Sequence, residues 1–126
     1  MSSDALRGVV VCHGPLAGAL VGAVEQIAGR QVVLVAVSNE GCDRGSLEAR
    51  VAEAVGAGPA VVFVDMASGS CLFAVLRKLR ERDDVRVVTG VNLAMLIDFV
   101  FHPEESAAAA AARAADVGNK AITVSA

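Results

Sequence analysis

Hydrophobic residues fall into short continuous runs that alternate with longer segments of helical periodicity. The runs are rich in β-branched residues, which favours strands, and they cover residues 9–11, 32–37, 60–65 and 85–90. Between them, apolar residues recur every three or four positions, as in amphipathic helices. Because the apolar runs are nearly uninterrupted, each strand is expected to be buried on both faces. The pattern predicts an α/β fold with a doubly wound, mainly parallel sheet and helices on both faces.

Local signals place the ends of several predicted helices. Ser46 is expected to cap the second helix, and Pro103 to occupy the first position of the last one. Gly118 and Asn119 are expected to end that last helix. Residues 120–124, with the sequence KAITV, then predict a C-terminal extra strand.

Composition and charge narrow the class of protein. The 126 residues are 55% hydrophobic but only 3% aromatic, which predicts a single domain, residues 1–126, with an aliphatic core. A net charge of −3 gives no reason to expect nucleic acid or an anionic membrane as a partner. Three cysteines without a C-x-x-C spacing suit a reducing, cytoplasmic location. The uncharged stretch 8–24 is interrupted by His13, Gly14 and Pro15, so it resembles neither a membrane span nor a signal segment.

Polar residues follow the carboxyl ends of the predicted strands, which share one edge of a parallel sheet. With the common strand order 2-1-3-4, His13 and Asp65 face each other across the switch point where ligands bind. A carboxylate beside an imidazole fixes its tautomer and leaves the other ring nitrogen free to attack. The alternatives are a purely structural histidine and an aspartate that only caps the next turn.

The turns at this edge also offer groups for an anion. Gly14 lies in the turn before the first helix, and Ser68, Gly69 and Ser70 offer backbone N–H groups and hydroxyls. The same serine-glycine triplet is also ordinary turn chemistry. No G-x-x-x-x-G-K-[ST] segment occurs, and no G-x-G-x-x-G follows the first strand, so no nucleotide cofactor is expected.

Three segments together resemble a known family. They are V-x-x-H-G at 10–14, F-V-D-x-x-x-G-S at 63–70 and G-V-N-x-x-M-L at 90–96. In this order and at these separations they are similar to the enzyme IIA component of the mannose-family sugar phosphotransferase system.

The resemblance implies a phosphoryl carrier that needs no cofactor. It implies that His13 is phosphorylated by the carrier protein HPr and passes the phosphoryl group to a IIB partner, with Asp65 orienting His13. It also implies a homodimer in which the strand at residues 120–125 joins the partner's sheet. Contact with the membrane would then be only indirect, through transporter subunits.

Some positions depart from the family pattern. Ser68, Cys71 and Phe73 stand where the family usually has glycine, proline and asparagine, and Ala94 replaces a common proline. The phosphoryl-accepting residues are retained while their surroundings differ. A regulatory carrier is therefore an expectation beside a role in sugar transport.

Three other functions remain open from the sequence. One is the related phosphohistidine domain of a dihydroxyacetone kinase pathway, against which the H-G pair and the G-V-N segment argue. Another is a metal or thiol site built from His13, Cys12, Cys42 and Cys71, with the Cys71 thiolate stabilised near a helix start. Cys12 is expected to point into the sheet, however, and the paired spacing of zinc sites is missing. The third is a non-catalytic interaction module.

Overall fold

The computed structural model describes residues 5–104 and 106–125, which form one four-stranded sheet and five helices. The strands are β1 (Arg7–Cys12), β2 (Leu34–Ser38), β3 (Ala60–Val64) and β4 (Val85–Thr89). The helices are α1 (Leu16–Ala28), α2 (Arg44–Val55), α3 (Ser70–Leu79), α4 (Leu93–Phe101) and α5 (Ala107–Lys120). The strand order is β2-β1-β3-β4 and every neighbouring pair is parallel, which confirms the predicted fold class.

The two central strands separate two hydrophobic layers. Val9 and Val11 of β1 point into the layer covered by α2 and α3. Val10 of β1 and Phe63 of β3 point into the layer that contains Leu96 of α4 and the alanines of α5. Because successive side chains of a strand point to opposite faces, the valine runs of β1 and β3 fill both layers. The edge strands β2 and β4 contain exposed residues, so the expectation of burial on both faces is wrong for them.

The helix starts differ from the predicted caps. Asp43, rather than Ser46, is the N-cap of α2: its carboxylate accepts hydrogen bonds from the N–H and the hydroxyl of Ser46, both at 2.8 Å. Likewise α5 starts after Ser106, whose hydroxyl accepts from the N–H of Ala109 at 3.1 Å, and not at Pro103. In both cases a side-chain oxygen satisfies an amide of the first turn that the helix itself leaves free.

Gly118 does not end the last helix as predicted, and neither does Asn119. Both lie inside α5, and Gly118 is buried against α4. A Cβ at Gly118 would lie 2.6 Å from Cε of Met95, and the carbonyl of Gly118 accepts a hydrogen bond from Nδ2 of Asn92 at 3.1 Å. This glycine therefore allows two helices to approach closely instead of stopping one.

The predicted C-terminal strand is not formed within this chain. The amides of Ala121 and Ile122 bond back to α5, through Val117, Gly118 and Asn119, so they continue a helical turn. Ile122 and Val124 are 74% and 99% exposed, and the sheet has four strands over the described residues. In the part of the chain described here, no helix combines the length and the hydropathy needed to cross a membrane.

Candidate active site

His13 lies on the turn between β1 and α1. The strand ends at Cys12, and Gly14 has φ +58°, a left-handed conformation that suits glycine and turns the chain into the helix. The amide of Leu16 donates to the carbonyl of His13 at 3.3 Å, which closes this turn. The His13 side chain is 38% exposed, so the imidazole is open to solvent at the carboxyl edge of the sheet.

Asp65 holds both the ring and the backbone of His13. Asp65 directly follows β3, and β3 pairs with β1. The fold therefore brings His13 and Asp65 to the ends of neighbouring strands. Oδ2 of Asp65 lies 2.9 Å from Nδ1 of His13 and also accepts the backbone N–H of His13 at 2.9 Å. The predicted juxtaposition is thus present. A neutral ring that donates Nδ1–H to this carboxylate carries its lone pair on Nε2.

The electrostatics of this pair favour a charged carboxylate. Burial by itself raises the pKa of Asp65, whose side chain is only 9% exposed. The hydrogen bonds from the backbone and the ring of His13, together with the charge of His13, outweigh burial and hold the pKa of Asp65 below its ordinary value. Asp65 is therefore ionised at neutral pH, ready to balance a positive imidazole.

The turn before α3 lies beside the free nitrogen of the ring. Gly69 has φ +100°, and a Cβ there would lie 3.6 Å from Nε2 of His13. Ser70 is the first residue of α3, and Ser68 is exposed in the same turn. The first amides of a helix have no partner within it, and those of α3 begin next to Gly69, close to the ring of His13.

Gly14 plays a different part from the one predicted. Its N–H donates to Oδ1 of Asn39 at 2.9 Å, so this amide is engaged within the protein rather than directed at an anion. The hydroxyl of Ser38 donates to the carbonyl of Gly14 at 2.7 Å. Gly14 therefore shapes the turn that carries His13.

Ser38 and Asn39 hold the His13 turn through hydrogen bonds to Gly14, and the sequence did not predict this role. The end of β2 pairs directly with the end of β1, with Ser38 opposite Cys12. Two hydrogen-bonding residues in succession at that strand end were the available signal. A polar pair next to a predicted site is common in turns, however, and says little alone.

Cys71 is buried, and its surroundings do not favour the thiolate that the alternative metal or thiol site requires. Burial raises the pKa of Cys71 to about 11, and the charge of Asp65 adds to this effect. Burial, again with a contribution from Asp65, raises the pKa of Cys12 to about 12. For Cys71 these two causes outweigh the stabilising effect of the helix N-terminus, and both cysteines are thiols at neutral pH.

The alternative cluster of three thiols and an imidazole is not assembled in the part of the chain that the structure describes. Among the residues that the structure describes, Cys71 joins His13 and Asp65, with one possible ligand atom of each within 4.8 Å of the others. Cys12 and Cys42 lie outside this group. Asn92, which also follows a strand, caps α4 by accepting the N–H of Met95 at 3.0 Å.

Comparison with known proteins places this arrangement in a family. The family described as "PTS system fructose IIA component" matches residues 8–116. The mannose/sorbose-specific IIA subunit of the phosphotransferase system from Enterococcus faecalis has a similar structure, with a TM-score of 0.84 at 23% identity, covering 97% of this chain and 96% of that one. For the component EIIA from Streptococcus agalactiae the TM-score is 0.87 at 20% identity, with 94% and 96% covered.

A further solved structure shares this fold. The PTS IIA protein associated with the fucose utilization operon from Streptococcus pneumoniae has a TM-score of 0.78 at 19% identity, covering 98% of this chain and 96% of that one. No curated protein sequence matches the chain.

Proposed function

The chain belongs to the fructose IIA component family of the sugar phosphotransferase system, and from that membership we propose that it carries a phosphoryl group on His13. The donor is HPr and the acceptor is a IIB protein or domain. The observation that carries this proposal is the His13–Asp65 pair. Nδ1 of His13 lies 2.9 Å from Oδ2 of Asp65, while the His13 side chain is 38% exposed.

We infer that Nε2 is the accepting atom, because Nδ1 already contacts the carboxylate of Asp65. In the transfer, Nε2 attacks the phosphorus of a phosphohistidine on HPr; a new P–N bond forms and the donor's P–N bond breaks, leaving its electron pair on the donor imidazole. The ring of His13 keeps its proton on Nδ1 and becomes positively charged. The ionised Asp65 balances that charge and holds the ring in place, so Asp65 acts as a positioning residue.

The transferred group needs donors for its negatively charged oxygens. We assign this role to the turn of Ser68, Gly69 and Ser70, because it lies beside Nε2 and opens α3. Backbone N–H groups and the positive end of the helix dipole stabilise phosphoryl oxygens. Gly14 contributes by shaping the His13 turn.

The same proposal covers the oligomeric state and the cellular location of the protein. Exposed apolar residues of the C-terminal segment, Ile122 and Val124, suit a homodimer in which residues 120–125 extend the sheet of a second copy. The protein is proposed to form a single domain over residues 1–126, to work in the cytoplasm and to meet the membrane only through transporter subunits. The departures at Ser68, Cys71, Phe73 and Ala94 suit a regulatory carrier as well as a transport component.

A labelling experiment tests the carrier role. The protein is incubated with radiolabelled phosphoenolpyruvate, enzyme I and HPr, and the label is tested for acid lability. We expect label on the wild type, dependent on HPr, and none on His13→Ala. His102→Ala is the matched control, since His102 lies at the C-terminal end of α4, and it should label like the wild type. An unlabelled wild type, in a mixture that phosphorylates another IIA component, contradicts the proposal.

A further inference from the structure

Three different metal-ligating groups converge at the site. His13 follows β1, Asp65 follows β3 and Cys71 lies in the first turn of α3. One ligand atom from each lies within 4.8 Å of the other two. The three groups therefore come from separate elements that the sheet edge holds together.

The carboxylate of Asp65 has an unused oxygen. Oδ2 accepts both hydrogen bonds from His13, whereas Oδ1 is buried with no hydrogen-bond partner among the described residues. The side chain is only 9% exposed, so water compensates little for the missing bond. A buried charged oxygen without a partner is costly, and a cation is the natural group to satisfy it.

We propose that His13, Asp65 and Cys71 bind a zinc ion and that the bound ion blocks phosphoryl transfer. Nitrogen, oxygen and sulfur donors together suit zinc, which often takes three protein ligands and leaves a fourth position open. Thiolate and imidazole ligands disfavour magnesium and calcium, which select oxygen.

Metal binding has a defined proton balance. The thiol of Cys71 must lose its proton to become a ligand, and that proton is released to solvent. Burial and the charge of Asp65 oppose this loss in the metal-free protein, where they raise the pKa of Cys71 to about 11. Because binding releases this proton, zinc affinity is expected to rise with pH.

Zinc bound at either ring nitrogen leaves Nε2 of His13 without a lone pair for phosphorus. If Nε2 binds the ion, its lone pair is already used. If Nδ1 binds the ion, the proton of the neutral ring moves to Nε2, and Nε2 again has no lone pair for phosphorus. This regulatory part rests on the proposed function, whereas zinc binding itself does not.

Cobalt substitution tests the binding part, because a Co²⁺–thiolate bond absorbs light that oxygen and nitrogen ligands alone do not. Equimolar Co²⁺ is added to the reduced wild type, to Cys71→Ser and, as matched control, to Cys42→Ser. We expect the thiolate band in the wild type and in Cys42→Ser, its loss in Cys71→Ser, and its removal by added Zn²⁺. Thermal unfolding verifies that each variant is folded. A wild type without the band, or a folded Cys71→Ser that keeps it, overturns the proposal.

Phosphoryl labelling with and without Zn²⁺ tests the regulatory part. Zinc should lower labelling of the wild type by at least about tenfold, since transfer needs the free nitrogen, and a chelator should restore it. Cys71→Ser, measured in the same mixture, should lose most of this sensitivity, which also controls for effects of zinc on enzyme I and HPr. Equal zinc sensitivity of the two proteins overturns the regulatory role. Failure of the metal-free wild type to label overturns the carrier function while the cobalt result stands.

Discussion

Gly69 lies against the imidazole of His13: a methyl group on its Cα would lie 3.5 Å from Cε1 and 3.6 Å from Nε2. Its φ of +100° also belongs to a region that other residues rarely adopt. Glycine at this position therefore keeps the backbone unstrained and leaves space beside the nitrogen to which we assign phosphoryl acceptance.

Gly69→Ala is expected to lower both stability and transfer. The positive φ should cost about 1–3 kcal/mol in the free energy of unfolding, and the added methyl group should slow labelling of His13. Gly29→Ala is the matched control, because Gly29 has φ +71° but open space around it. Urea unfolding and single-turnover labelling separate the two effects. Equal labelling rates of the two folded variants would show that the space beside Nε2 is unimportant.

Asp65→Asn is expected to slow phosphorylation of His13 by at least about tenfold, because the positive ring formed in the transfer loses its balancing charge. Asparagine preserves the shape, so the fold should survive. Asp116→Asn removes an exposed carboxylate of α5 and serves as the charge-matched control. Rates are measured with phosphorylated HPr by rapid quench. An Asp65→Asn rate equal to that of the control would make Asp65 purely structural.

The same carboxylate gives a pH signature in stability. Because the pKa of Asp65 is lowered in the folded protein, its contribution is fully present above the unfolded value of about 3.9 and is lost as pH falls through the folded value. The stability difference between wild type and Asp65→Asn should therefore shrink as the pH falls below about 4. Urea unfolding curves of both proteins at a series of pH values measure this difference. A difference that grows on acidification has the wrong sign for this pair.

Asn39→Ala should loosen the turn that carries His13. The amide of Gly14 loses its acceptor at 2.9 Å, which should cost about 1–2 kcal/mol of stability. Hydrogen exchange at Gly14 should accelerate more than at α5. Asn119→Ala, on the exposed side of α5, is the control. Unchanged exchange at Gly14 in Asn39→Ala would show that Ser38 alone holds the turn.

Replacing two glycines inside helices by alanine should change the stability of the protein in opposite directions. Gly118→Ala places a methyl group into Met95 and should destabilise the protein by about 1–3 kcal/mol. Gly22→Ala enters open space on α1 and should stabilise it by about 0.5–1 kcal/mol through helix propensity. Thermal unfolding compares them. A stabilising Gly118→Ala would mean that α4 and α5 are less tightly packed than their contact indicates.

The sheet was predictable because its signals are local and repeated. Four valine-rich runs with helical segments between them allow few arrangements other than a parallel sheet, and His13 and Asp65 each follow a run directly. Once β1 and β3 are neighbours, the meeting of these two residues follows from the topology.

The features that sequence reasoning missed depend on contacts between distant segments. Gly118 has the appearance of a helix stop, and only the approach of Met95 explains why it lies inside α5. A helix start beside Cys71 allowed an activated thiol as an alternative, but burial and the charge of Asp65 raise its pKa. No sequence pattern marks Asn39, whose role depends on the hydrogen bond that its side chain accepts from the amide of Gly14.

The histidine is anchored near the middle of the sheet, since β1 pairs with strands on both sides. Helices and tails at the periphery can therefore change their sequence without moving Nε2. Substitutions on the outer faces of the molecule can therefore change the surface that other proteins contact while Nε2 of His13 keeps its position.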